Sequence, residues 1–115
     1  MLLIRSFFFW VGLLLAADGA FASNEVIIDV RTKSEYEQGH LAGAQWIDVL
    51  QPDFEERVSK LNKNTSYKLY CRSGARSGKA LSLMKKLGFK TVENLGSLAE
   101  AMGKTKKACE PIGAC

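Results

Sequence analysis

The residues with the clearest capacity for chemistry lie in one run, Tyr67-Lys-Leu-Tyr-Cys-Arg-Ser-Gly-Ala-Arg-Ser-Gly-Lys79. It opens as a short apolar strand, Tyr67 to Tyr70, passes through Cys71 and enters a helical pattern at Ser77. A cysteine set between a strand end and a helix start meets free backbone N–H groups and the positive end of the helix dipole. Both favour thiolate over thiol, so Cys71 is expected to have a depressed pKa and to act as a nucleophile at neutral pH. Gly74 lets the loop curl with its amides inward, a concavity suited to an anion, and Arg72 and Arg76 add positive charge around it. Ser73 and Ser77 can donate hydroxyl hydrogen bonds into the loop, and Ser77 is also a candidate helix cap. A lone cysteine here would read as a small buried side chain. Its company of Gly74 and two arginines reads instead as a nucleophilic sulfur in an anion cradle.

Spacing separates the enzyme classes that use such a loop. Cysteine phosphatases and the related arsenate reductases need Cys-x5-Arg, but that position is Ser77 here, and the arginine comes one residue early as Cys71-x4-Arg76. The shorter loop Cys-Arg-Ser-Gly-Ala-Arg resembles the active-site loop of the rhodaneses, the thiosulfate and persulfide sulfurtransferases. Asp29-Val-Arg31, Glu35-Tyr36 and Gly39-His40-Leu-Ala-Gly43-Ala44 are similar to the amino-terminal half of a rhodanese domain. Gly88-Phe89, Val92 and Leu95-Gly96 are similar to its carboxy-terminal part. The resemblance spans roughly residues 25 to 103. It departs from the family at Gly96-Ser97, where many relatives carry a glycine pair, and in lacking the family's frequent tryptophan in the last helix; Trp46 lies elsewhere and reads as core.

The elements needed to hold the loop can be read in order. Glu25 to Val30 is a continuous apolar run ending in charge, a strand buried on both faces. Asp29 and Arg31 fall at its carboxy end, where open parallel α/β sheets place their sites. Thr32 with Glu35 forms a capping-box pattern for a short helix that Gly39 stops. Ala44 to Val49 reads as a second strand, and Asp53 with Glu56 repeats the capping signal for a helix through Leu61, with Phe54, Val58 and Leu61 on one face. Ser77 to Leu87 is a helix with Ala80, Leu81, Leu83, Met84 and Leu87 on its apolar side and Gly88 as its stop. A strand at Thr91 to Asn94 and a helix at Ser97 to Met102 follow. This alternation predicts an α/β fold, rhodanese-like by the resemblance, with a small parallel sheet and helices on both faces.

Residues 1–22 are set apart as a secretory signal peptide. Arg5 precedes an apolar run from Phe7 to Ala17, too short to cross a bilayer, and Ala20-Phe21-Ala22 offers the small residues of a cleavage site. The expected organisation is a signal peptide at 1–22, one domain at 23–103 and a basic, cysteine-containing tail at 104–115. The protein is expected to be exported to a periplasm, with no stable membrane association after cleavage. The net charge of +4 is partly gathered at Lys104, Lys106 and Lys107. Without aromatics interleaved on one face it reads as a solvated tail and not as a nucleic-acid surface. Among the three cysteines, Cys109 and Cys115 enclose a turn-prone segment with Pro111 and Gly113, which predicts a bridge between them with Cys71 free. A link from Cys71 to a tail cysteine is the competing arrangement. No cysteine pair has the spacing of a structural zinc site.

The resemblance implies roles. Cys71 would attack the outer sulfur of thiosulfate or a persulfide, and the loop from Arg72 through Ser73, Gly74, Ala75, Arg76 and Ser77 would bind the anionic donor. Asp29 and Arg31 would brace the site, and no cofactor or metal is implied. Cyanide or a thiol, on a small molecule or a protein, would then accept the sulfur. His40 invites a general-base role, yet thiolate attack on sulfane sulfur needs no proton transfer, and a structural histidine is the reading preferred. The alternative function is a non-catalytic rhodanese-like binding module, with a cysteine phosphatase or arsenate reductase third.

Overall fold

Strand β1 (Glu25–Asp29) forms from the first apolar run, in a computed structural model that describes residues 25–115. The signal-peptide assignment lies outside the described residues. Thr32 then starts α1 (Lys33–Gln38) through a complete capping box, its hydroxyl accepting from the Glu35 amide while the Glu35 side chain accepts from the Thr32 amide. Gly39 ends this helix, as expected, with an extended backbone at φ 162° and ψ 132°.

The chain continues through β2 (His40–Leu41), β3 (Gln45–Trp46), α2 (Phe54–Ser59), β4 (Ser66–Cys71), α3 (Ala75–Lys86), β5 (Thr91–Ser97), α4 (Leu98–Thr105) and β6 (Cys109–Glu110). The main sheet has the order β3-β1-β4-β5, and every pairing in it is parallel.

Side chains alternate across this sheet and so build a core on each face. Ile28, Val30, Leu69 and Cys71 pack with Phe54 and Val58 of α2 and Ala80 and Met84 of α3. Ile27, Tyr70 and Leu95 pack on the other side with Leu41, Ala101 and the flanking Leu98 and Met102. The α/β architecture with helices on both faces is the one expected.

Three local expectations are corrected. The second strand is confined to Gln45–Trp46, although Ile47 and Val49 still donate to the carbonyls of Asp29 and Val30 at 3.0 and 3.2 Å. Asp53 does not cap α2 with its side chain: its backbone (φ −89°, ψ 7°) belongs to the preceding turn, not to the extended conformation of a capping residue. Trp46 is not core. It is half-buried, donates from Nε1 to the Arg31 carbonyl at 2.8 Å and carries the Arg57 guanidinium over its ring.

The last residues lie on the domain. β6 pairs antiparallel with β2, matching His40 with Glu110 and Leu41 with Cys109. Cys109 and Cys115 are bridged and Cys71 is free, as the spacing had predicted. Lys104, Lys106 and Lys107 are exposed, as a solvated stretch should be.

Candidate active site

β4 delivers Cys71 to the carboxy edge of the sheet, and α3 begins four residues later at Ala75. Gly74 supplies the turn between them at φ 97°, a conformation that L side chains rarely adopt. Space requires glycine there too, since a Cβ would sit 3.2 Å from Gly96 Cα. The helix thus starts two residues earlier than its sequence pattern suggested. Ser77 lies inside its first turn and is not its cap, because the glycine-led turn already directs the following residues into helical geometry.

Cys71 Sγ sits within this turn. The Gly74 amide donates to it at 2.9 Å, and the Ser77 hydroxyl lies 3.4 Å away. Burial opposes ionisation of the thiol, but the Ser77 hydroxyl and the amides of Ser77, Ser73 and Gly74 together outweigh it and lower the Cys71 pKa. The residue is fully covered, so a reactant must reach Sγ through the surrounding loop.

Asn94 of β5 completes the support. Its Nδ2 donates to the Gly74 carbonyl at 3.0 Å, and its Oδ1 lies 2.6 Å from the Ser77 hydroxyl while accepting from the Gly96 amide at 2.9 Å. Ser77 has one proton to share among Asn94, the Gly74 carbonyl at 3.1 Å and the sulfur. When it turns to a thiolate, Asn94 Oδ1 keeps the Gly96 amide and is not left unpaired.

The two arginines part company. Arg76 forms a two-pronged pair with Glu35, Nη1 to Oε1 at 2.7 Å and Nη2 to Oε2 at 3.0 Å, so the residue that caps α1 also anchors the start of α3. Arg76 and Thr32 hold the Glu35 carboxyl down at about 2 against the cost of its burial. Arg72 is exposed and makes no ion pair among the described residues.

Asp29 and Arg31 form a buried brace. Arg31 Nε lies 3.0 Å from both Asp29 oxygens, and Nη2 is 2.6 Å from Oδ2 and 2.6 Å from the Gly39 carbonyl. The Tyr70 hydroxyl donates to Asp29 Oδ2 at 2.8 Å and accepts from the Leu41 amide at 2.9 Å. One carboxylate therefore ties β1, β2 and β4 together behind the loop.

His40 stacks on Tyr36 at 3.8 Å, with Nδ1 2.8 Å from the Tyr36 carbonyl and Nε2 3.4 Å from Glu110. None of its hydrogen bonds goes to Cys71, in keeping with the structural reading. Among the described residues no cluster of His, Cys, Asp or Glu could hold a metal ion.

Sequence reasoning missed Asn94 and the Glu35–Arg76 pair. Asn94 carried no signal beyond its place in a strand. Glu35 was visible as a capping residue and within the resemblance, but not as the partner of Arg76, which is 41 positions away.

These observations define an α/β domain that presents a cysteine in a cradle of amides, and comparison with known proteins places it. The rhodanese-like domain family matches residues 15–101, and the chain belongs to that family. It is 38% identical over 82 residues to the thiosulfate sulfurtransferase PspE of Escherichia coli, covering 69% of this chain and 77% of that protein. A putative sulfur carrier protein of Bacillus subtilis, YrkF, is 40% identical over 81 residues, which span 70% of this chain and 43% of the relative. Among solved structures, a rhodanese-like domain of the Anabaena Alr3790 protein superposes with a TM-score of 0.64 at 31% identity, over 74% of this chain and 97% of that one. An E. coli rhodanese with anions superposes with a TM-score of 0.59 at 34% identity, over 66% and 89%.

Proposed function

We propose that this protein is an exported thiosulfate or persulfide sulfurtransferase that works through a Cys71 persulfide. The observation that carries the reading is a free cysteine whose sulfur takes an amide hydrogen bond of 2.9 Å in a loop that lowers its pKa. Cys71 Sγ attacks the outer sulfur of thiosulfate, an S–S bond forms, and the donor's S–S bond breaks with its electron pair leaving on sulfite. A thiolate or cyanide then attacks the outer sulfur of the persulfide, and the electron pair returns to Cys71 Sγ. The two half-reactions balance with no outside oxidant and call for ping-pong kinetics.

The amides of Ser73, Gly74 and Ser77 stabilise anionic sulfur in both states, as an oxyanion hole does for oxygen. The remaining loop residues, Arg72, Ala75 and Arg76, complete the donor site. Arg72 offers an unpaired guanidinium to the sulfonate. Arg76 spends two of its five donors on Glu35 and keeps the others for the loop. Asp29 and Arg31 position the loop through the buried network and touch no reactant. The sulfurtransferase relative and the anion-bearing rhodanese support this reading by similarity.

Export is supported by the amino-terminal pattern of residues 1–22 and by a disulfide in the tail, since such bridges persist in oxidising compartments. The proposed organisation is therefore a signal peptide at 1–22, the domain at 23–103 and the tail at 104–115.

The deciding experiment is the intact mass of reduced mature protein after incubation with thiosulfate. A gain of one sulfur atom, removed by cyanide and absent in Cys71→Ser, is the expected result. No adduct on protein with a free Cys71 thiol would overturn the enzyme and leave the idle binding module. An aryl phosphate should remain unhydrolysed, because the loop is one residue shorter than a phosphatase's.

A further inference from the structure

Beside the Cys71 loop lies a cavity of about 310 Å³, bounded by Arg31, Glu35, Gly39, Arg72, Leu98 and Ala114. That volume is at the lower end of the range for small-molecule sites. The charges around it are uneven. Arg31 is neutralised by Asp29 and Glu35 by Arg76, which leaves the Arg72 guanidinium without a counter-charge among the described residues. Leu98 adds an apolar patch. A small anion with a short apolar body matches such a lining.

One wall comes from the tail. Ala114 reaches the cavity because the segment is fastened at several points: β6 pairs with β2, the Ala42 amide donates to the Ala108 carbonyl at 2.8 Å, and Cys109 is bridged to Cys115. Gly39 makes the fit possible. Its backbone is extended and tolerates any side chain, but a Cβ there would lie 3.1 Å from both the Ala114 carbonyl oxygen and Cys115 Sγ. The tail is seated on a glycine used for close approach, not for conformational freedom.

We propose that this cavity is the acceptor subsite, taking a small thiol that carries a carboxylate, and that the disulfide-closed tail is the wall that limits acceptor size. The proposal rests on the sulfurtransferase reading above. The acceptor's carboxylate pairs with Arg72, and its thiolate attacks the outer sulfur of the Cys71 persulfide. The S–S bond breaks toward Cys71 Sγ, and the acceptor departs as its own persulfide.

The test compares wild type with the full-length double variant Cys109→Ala/Cys115→Ala, which opens the wall, and with Gly39→Ala, which pushes on the seated tail with the bridge intact. Protein loaded from thiosulfate is discharged by mercaptoacetate, a small thiol acid, and by glutathione, a bulkier one. The wild type should prefer mercaptoacetate. In the double variant that preference should fall at least about fivefold, through KM more than kcat, while loading and discharge by cyanide stay within about twofold. Gly39→Ala should shift the preference in the same direction, so the idea does not depend on one variant folding.

Alkylation of Cys71 by iodoacetamide and by a bulky maleimide, followed by peptide mass, reads the wall without sulfur transfer. The bulky reagent should gain on the small one when the tail is opened. Unchanged preference and unchanged alkylation ratio in both variants would overturn the proposal. Failure to load any sulfur, with the alkylation ratio still shifting, would instead overturn the sulfurtransferase reading and leave the tail as a wall.

Discussion

Ser77 is the residue on which the state of the sulfur turns. Its hydroxyl stands between Cys71 Sγ at 3.4 Å and Asn94 Oδ1 at 2.6 Å, and it is the largest of the influences that favour the thiolate. Removing it should raise the Cys71 pKa, because burial then meets less opposition. The rate of sulfur loading falls as pH drops through that pKa, so the acid limb of the pH profile should move to higher pH in Ser77→Ala. Loading rates from pH 5 to 10 would show it, and an unmoved midpoint would remove Ser77 from this role. Asn94→Ala tests the same site from behind: the Gly74 carbonyl and Gly96 amide each lose a partner, which should cost about 1–3 kcal/mol of stability by urea titration.

At the scale of elements, the start of α1 and the start of α3 share one carboxylate. Glu35 closes the α1 capping box and grips Arg76, which holds its pKa at about 2 against an ordinary 4.5. A carboxyl depressed on folding contributes stability that is fully present above pH 4.5 and is lost as pH falls toward 2. Glu35→Gln separates the two functions, since glutamine still completes a capping box but cannot carry the charge. The side chains of both partners are about three-quarters covered, so loss of the pair should cost about 1 kcal/mol at pH 7. The variant's stability should also change less than wild type's between pH 4.5 and 2. Urea titrations across that range provide the check, and parallel acid profiles would contradict it. α2 shows the converse: Asp53 and Glu56 have capping spacing, yet the turn after Val49 holds the Asp53 backbone where its side chain makes no capping bond.

For the molecule as a whole, the sheet is sandwiched between two cores, and the tail is fastened to the segment between α1 and β3. The Cys109–Cys115 bridge closes a loop only six positions long, so its effect on the unfolded chain is limited to about 2 kcal/mol. Reduction should therefore lower stability by at most about 2 kcal/mol in urea titrations with and without reductant, and a larger loss would mean that the tail holds the main core together. Cys71 is fully buried and packs in the core on the α2 and α3 face.

What the sequence alone determined follows from local physics. Apolar runs and helical spacings decide which segments bury which faces, and Thr32-x-x-Glu35 caps its helix by contacts three residues apart. A glycine three residues past a strand-end cysteine bends the chain around the sulfur. Hence the buried strands, the cysteine's place between a strand and a helix, and the tail bridge were legible. The Glu35–Arg76 pair, the support of Gly74 by Asn94 and the wall made by Ala114 were not. Each joins residues whose separation in the chain carries no periodicity: the first two exist because parallel pairing brings the carboxy ends of β1, β4 and β5 to one edge, and the third because β6 pairs antiparallel with β2. Register is set by burial across the whole sheet, so only the tertiary structure decided which polar side chains meet there.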